Sequence, residues 1–327
     1  MLCGVCGSEN TKLFFSGYPG YVEGTIYDIF SCIYCGSNFI STKNVGKKVY
    51  ELIYSTKETP GYDRYYRYAH EIKACPNPLK FLSESEITYF PVSEFLKGKQ
   101  GLNILEIGCS YGYLTYAMRK CGNIAIGIDV SKSAIDFATK NFGGKFYCTD
   151  ETSFSKNNKQ KFDLIVATEV IEHVAEIKNF LGACIRMLKN GGSIILTTPN
   201  KDYFSKRVIW QTDPPPVHTT FITKRGIENI ARQHNLDFSF TKFSGYSSKR
   251  ENSLITFFLT RKETIMPSII LRNGKPNPAR SEPYSSPVWN LLRLILIDFF
   301  PIRYLCDAIH SFFAKKWRII GVVLRKG

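Results

Sequence analysis

Glu169, Glu172 and His173 stand close together in the stretch "ATEVIEHVAE", Ala167–Glu176. The run "FDLIV" just before them is uniformly apolar and reads as a buried strand. A helix beginning near Glu169 puts Glu172 at i+3 and His173 at i+4, so all three side chains share one face. Such a trio has three uses: a capped and solvated helix start favoured by the helix dipole, an acid–base pair, or half of a metal site.

A second set lies at the N-terminus. "CGVCG" carries Cys3 and Cys6, and "CIYCG" carries Cys32 and Cys35, with 25 residues between the pairs. Four thiolates at this spacing suit tetrahedral zinc, and the glycine after each pair lets the backbone turn towards the ion. A redox dithiol would need a single C-x-x-C beside a βαβ pattern, which this segment lacks. With all four positions taken, the zinc is expected to be structural. Its energy would stabilise a segment too small to fold on a core of its own.

A third set is "LEIGCSYGYL", where Glu106, Gly108 and Gly112 form an E-x-G-x-x-x-G turn between a strand and a helix. Small residues there let a ligand approach the main chain. Asp129 in "GIDVS" ends the next strand, about 20 residues on, where a carboxylate can accept both ribose hydroxyls of an adenosine ligand. A nicotinamide site would prefer G-x-G-x-x-G. The competing use of Asp129 is as a cap for the following helix.

The elements that must hold these groups follow from periodicity. From Leu102 onward short apolar runs ("LNILEI", "IAIGID", "KFYC", "FDLIVAT", "SIILTT") alternate with amphipathic stretches. Among the latter are "SKSAIDFATKN", with Ser131 as N-cap, and "EIKNFLGACIRMLKN", expected to stop at Gly191–Gly192. Repeated βα units of this length predict an α/β, Rossmann-like doubly wound sheet. After the helix "TKRGIENIARQHN", two strand candidates, "FSFTKF" and "SLITFFLT", predict an antiparallel hairpin at one edge; "RIIGVVLRKG" is a rival for completing the sheet. The tyrosine-rich stretch "GYDRYYRYAHEIK" (Tyr62, Tyr65, Tyr66, Tyr68) reads as packed linker surface in preference to a lid. The expected division is residues 1–45 zinc ribbon, 46–100 helical linker or lid, 101–262 core and 263–327 basic, partly apolar extension.

Composition bounds the partners. The 327 residues are 44% apolar and 14% aromatic, enough for a sizeable core. The formal charge is +15, and the stretch from Arg261 onward carries twelve Lys/Arg against four Asp/Glu. That balance suits phosphate, nucleic acid or an anionic membrane face. "VWNLLRLILIDFF" is interrupted by Arg293 and Asp298 and is too short to span a bilayer; it fits packing on its own domain better than peripheral contact with lipid. Ten cysteines without an apolar leader in "MLCGVCGSEN" suggest a reducing, cytoplasmic setting.

Taken together, "LEIGCSYG", "GIDVS", "YCTDETSF", "FDLIVATEVIEHV" and "LKNGGSIILTTPN" resemble a class I S-adenosylmethionine-dependent methyltransferase over about Leu102 to Leu259. The resemblance implies a seven-stranded sheet with one antiparallel strand. It implies that Glu106 and the backbone of Gly108, Cys109, Ser110 and Gly112 meet the methionine part of the cofactor. Asp129 with Val130 would hold the ribose, and Asp150 with Glu151 would reach the adenine. Ser110 stands where many relatives have glycine. The knuckles also resemble those of zinc-ribbon methyltransferases of sugar modification. Ubiquinone-pathway O-methyltransferases and small-RNA 2′-O-methyltransferases that share the E-x-x-E-H pattern place a divalent metal there with a later histidine, and His218 in "DPPPVHTTFIT" is the counterpart here. Glu169, Glu172, His173 and His218 then form either a second divalent metal site or a metal-free acid–base set. The expected reaction is O-methylation of a sugar or related small molecule. RNA 2′-O-methylation is the first alternative, with nucleic acid a less favoured partner, and a non-catalytic cofactor-binding scaffold is the alternative from another class.

Overall fold

A computed structural model describes residues 1–41, 63–203, 213–244, 246, 265, 267–280 and 317–327. Tyr62, "SLITFFLT" and "VWNLLRLILIDFF" lie outside the described residues.

Two sheets organise the chain. The larger has seven strands: β4 (Asn103–Ile107), β5 (Ile124–Asp129), β6 (Phe146–Cys148), β7 (Phe162–Thr168), β8 (Leu188–Pro199), β10 (Leu236–Phe240) and β11 (Ile319–Lys326). Their order is β10-β11-β8-β7-β4-β5-β6. β4 pairs in parallel with both β5 and β7, whereas β11 is antiparallel to both β8 and β10. This is the seven-stranded sheet with one antiparallel strand that the sequence motifs imply. "FSFTKF" does supply an edge strand, but its neighbour is β11, Leu236 lying opposite Lys326. A boundary at residue 262 would therefore place one core strand in the extension. β11 reads "IIGVVLRK", and Ile319, Ile320, Val322 and Leu324 are buried in the sheet, which explains why an apolar run so far along the chain inserts there.

The helices follow local signals closely. α1 is Asp63–Glu71, α2 Pro78–Ser85, α3 Phe90–Leu96, α4 Tyr113–Lys120, α5 Lys132–Phe142, α6 Glu151–Asn157, α7 Ile177–Met187 and α8 Lys224–Gln233. Ser131 caps α5 by accepting the Ala134 N–H, and Thr223 caps α8 by accepting that of Gly226. α7 stops at Met187, and β8 begins at Leu188 with a turn through Gly191 at φ 72°.

The second sheet is the ribbon: β1 (Thr11–Pro19), β2 (Ile26–Cys32) and β3 (Asn38–Ile40), completed by β9 (Thr220–Phe221) from the main body. The ribbon is not a detached bead. Cys3, Val5, Cys6, Cys32, Cys35 and Phe39 belong to the same apolar core as Ile171, Ile177, Ile222 and Ile227.

The topology decides where a ligand can sit. From β4 the chain proceeds to β5 on one side and returns to β7 on the other, so the carboxyl ends of these strands open a crevice at a switch point. Among the described residues no helix is long and apolar enough to cross a membrane.

Candidate active site

A cavity of ≈ 730 Å³ occupies that crevice, a size suited to a cofactor together with a small acceptor. Its floor is the turn after β4. Gly108 has φ 71°, and a Cβ there would come within 2.5 Å of Val170 Cγ2, so only glycine fits. Ser110 holds φ 45°, the left-handed region that glycine prefers, and its Oγ is buried without a hydrogen-bond partner. Cys109 lines the cavity while packing with Ile135, Ala138 and Phe146. Gly112 does not line it. At φ 79° Gly112 starts α4, and an added Cβ would lie 2.7 Å from Ala138 and 2.8 Å from Phe146. Its value is close packing of helix on sheet.

Asp129 ends β5, buried, with Oδ2 accepting the Ser110 N–H and Oδ1 accepting the Ser131 N–H, both at 2.8 Å. Burial raises its pKa, against the pull of these N–H groups. Each oxygen keeps a further lone pair for a diol. Val130 beside it is 64% exposed and lines the cavity, as does Glu151. Asp150 also lines it but caps α6, its carboxylate accepting from the Ser153 N–H at 2.7 Å and hydroxyl at 2.8 Å.

Glu106 is 3% exposed and accepts a bond from the Thr115 hydroxyl. Burial pushes its pKa up to about 8. A folded-state pKa above the ordinary 4.5 contributes stability that is present at low pH and is lost as pH rises through about 8. The thermal midpoint of the ligand-free protein should therefore fall from about pH 5 to 8, and Glu106→Gln should flatten part of that slope. A melting series in which both proteins follow one curve would remove Glu106 from the explanation.

At the far end the predicted helix start is corrected. Glu169 lies outside any helix at φ 56°, its N–H donating to Thr197 O at 3.0 Å. A short 3-10 turn, Ile171–His173, follows, and α7 begins only at Ile177. The left-handed residue breaks the i, i+3, i+4 relation, so Glu169 stays outside the close trio, although its carboxylate still acts on Glu172 and adds to burial in raising that residue's pKa. Glu172, His173 and His218 do converge, their ligand atoms all within 4.8 Å of one another. Glu172 is 1% exposed, and neither carboxylate oxygen has a hydrogen-bond partner. His173 Nδ1 lies 2.8 Å from Val217 O, which holds it as the N–H tautomer and leaves Nε2 a lone pair. The two imidazoles lie 4.6 Å apart, and His218 Nε2 faces Asp213 across 3.9 Å. Burial lowers the pKa of both histidines, His218 to about 3, and raises that of Glu172 far above its ordinary value. An orphaned carboxylate beside two neutral imidazoles is a donor set that fits a divalent cation.

Glu169 remains on the cavity wall. Its Oε1 is buried without a partner, and burial pushes its pKa up to about 8, against the attraction of Arg64. Sequence reasoning missed Arg64, Glu86, Tyr89, Tyr113, Asp213 and Arg318 in the lining. Tyr65 also lines it, stacked 6.4 Å from Tyr113; Tyr66 packs edge-on against Tyr111, whereas Tyr68 is a buried core residue whose hydroxyl donates to Glu86 Oε1 at 2.9 Å. The density of tyrosines was the signal, and only packing sorted liners from fillers. The lining carries eight carboxylates and two arginines among the described residues, opposite in sign to the chain as a whole.

The four cysteines of the ribbon come together as expected. Cys3 and Cys35 Sγ are 3.8 Å apart and Cys6 and Cys32 Sγ 3.7 Å, too far for disulfides. A tetrahedron with zinc–sulfur bonds of about 2.3 Å has edges of about 3.8 Å, so the sulfurs fit the ion.

A family model described as "Methyltransferase domain" matches residues 71–238, just over half of the chain. The chain belongs to this family. With the motifs and the sheet, it is a class I S-adenosylmethionine-dependent methyltransferase. The methyltransferase is 28% identical over 200 residues to the human "Ubiquinone biosynthesis O-methyltransferase, mitochondrial", covering 54% of each chain. Against the "Ubiquinone biosynthesis O-methyltransferase" of Coxiella burnetii (strain Dugway 5J108-111) it is 32% identical over 132 residues, 38% of this chain and 54% of the relative. It thus spans about half the length of the curated relatives it matches. Among solved structures, the plantazolicin methyltransferase BpumL in complex with SAH aligns over 86% of this chain and 98% of its own, at 17% identity and a TM-score of 0.44.

Proposed function

We propose that this methyltransferase O-methylates a hydroxyl on a small ring compound, a sugar or related molecule. The observation that carries the reading is one cavity lined by both the Gly108–Asp129 cofactor features and the Glu169–His173–His218 end. Its acidic lining favours a cationic sulfonium and repels polyphosphate backbones, which weighs against RNA. The names of the relatives, ubiquinone biosynthesis O-methyltransferases, favour an intermediate of ubiquinone biosynthesis as the second reading within the same class.

When bound, S-adenosylmethionine supplies the methyl group, and a divalent cation at Glu172, His173 and His218 supplies Lewis acidity. Ser110, Asp129 and the main chain at Gly108 hold and orient the donor, and the rings of Tyr65, Tyr89 and Tyr113 flank the acceptor. Glu169, outside the histidine trio, receives the acceptor's proton: the O–H bond breaks, the O–CH₃ bond forms and the S–CH₃ bond breaks to leave S-adenosylhomocysteine. Cys3, Cys6, Cys32 and Cys35 hold a structural zinc, which calls for a reducing, cytoplasmic setting. We also propose a domain division in which β1 to β3 and the two knuckles form the ribbon, α1 to α3 form the wall above the cavity, and the core takes its last strand from β11.

The test is transfer of labelled methyl from S-adenosylmethionine into a fractionated cell extract, with and without a chelator, followed by product identification. A chelator-sensitive methyl ether on a small molecule is expected. Label appearing only in RNA or protein, or only on carbon or nitrogen, would sink the reading.

A further inference from the structure

The ribbon is hydrogen-bonded to the loop that carries His218, and one residue stands where the connections meet. Thr219 is buried, directly after His218 and before β9. Its carbonyl accepts the N–H of Ile40, the last residue of β3, at 3.0 Å. Its own N–H donates to Glu172 O at 2.9 Å, and its hydroxyl lies 3.1 Å from Glu172 O and 3.2 Å from Val174 O. One threonine therefore touches the ribbon, the Glu172–His173 turn and, through its own backbone, His218.

The next residues extend the link to the cysteines. β9 pairs with β3, Thr220 opposite Phe39 and Phe221 opposite Asn38. The Thr223 hydroxyl donates to the carbonyl of Cys35 at 2.6 Å, and the Gln233 side-chain amide donates to that of Cys6 at 2.7 Å. These two carbonyls belong to the knuckles whose four sulfurs fit an ion. The thiols, kept protonated by burial at Cys6 and by the Cys3 contact and burial at Cys35, would become thiolates and draw together on binding one.

We propose that Thr219 is a positioning residue, and that through it the cysteine-bound ion sets the spacing between Glu172–His173 and His218. The first trio member pair comes from the turn after β7 and His218 from a loop after β8, so their separation is a tertiary quantity. The Thr219 clasp and the His173–Val217 bond both span that gap. The inference rests on the proposed function in taking this trio as the acceptor end, but its test does not need the acceptor.

Full-length protein with ¹⁵N-labelled histidine gives long-range ¹H–¹⁵N signals for His173 and His218. Thr219→Val keeps the shape and removes the hydroxyl donor. The expected result is an S-adenosylhomocysteine affinity within about twofold of wild type, since that subsite is separate. Both imidazole signals should shift or broaden, and Mn²⁺ affinity should fall about tenfold, as for loss of an outer-shell support. Stripping the cysteine-bound ion from wild type with a mercurial should change the same imidazole signals. Unchanged imidazole signals and Mn²⁺ affinity in Thr219→Val overturn the proposal. A wild type that binds no Mn²⁺ counts against the second metal alone, and the imidazole signals then decide on Thr219. Should Thr219→Val not fold, Thr223→Val is read in the same way, and wild-type imidazole signals there overturn the inference.

Discussion

Asp129→Ala should reduce affinity for S-adenosylhomocysteine by about 10²- to 10⁴-fold, read by calorimetric titration. The estimate follows from two hydrogen bonds to a charged acceptor at about 1.5–3 kcal/mol each. The structure supports that estimate in two ways. Asp129 ends β5 at the mouth of the crevice, with both oxygens already oriented by the N–H groups of Ser110 and Ser131. It is therefore pre-organised and pays little to receive a diol. Its loss also removes the partner that holds Ser110 in its left-handed conformation, so the turn under the cofactor loosens as well. Asp129→Asn should fall between, keeping one acceptor oxygen. A loss below tenfold for alanine would remove the ribose assignment.

The second large effect concerns Glu172. Neither of its oxygens lies within hydrogen-bond distance of a partner, and the side chain is almost fully buried, with the Thr198 hydroxyl the nearest polar help. Burial keeps this lone carboxyl protonated, and a cation beside it would let it ionise and become a ligand. Glu172→Gln preserves shape and cannot ionise. In metal-free protein the thermal midpoint should hold or rise, while the rise that Mn²⁺ gives wild type should vanish. Labelled methyl transfer should fall about 10³-fold, within the range for loss of proton or Lewis-acid assistance, with cofactor affinity unchanged. His173→Ala should give the same loss of transfer. If both variants retain wild-type transfer, the trio is structural and the Lewis-acid role is lost, leaving Glu169 to act without a cation.

Much of this molecule is determined within short windows of sequence. The caps at Ser131 and Thr223, the glycine turn after β4 and the carboxylate ending β5 are local arrangements whose causes lie a few residues away. The same holds within each cysteine knuckle. Side-chain type and backbone conformation settle such features before any distant contact forms. The family resemblance was legible for the same reason, because it rests on those turns.

Tertiary structure decided the rest. Glu169 follows a strand and precedes apolar helix-like spacing, yet the pairing of its N–H with Thr197 on β8 holds it left-handed and moves the helix start to Ile177. "FSFTKF" is a strand by its own pattern, but that Ile319–Lys326 enters beside it depends on burial against β8. The wall formed by Arg64, Tyr65 and Tyr89, and the ribbon's fourth strand at Thr220–Phe221, exist only once distant segments pack. Local chemistry chooses an element and its ends, whereas strand order, register and the meeting of side chains across elements are set by which surfaces leave water together.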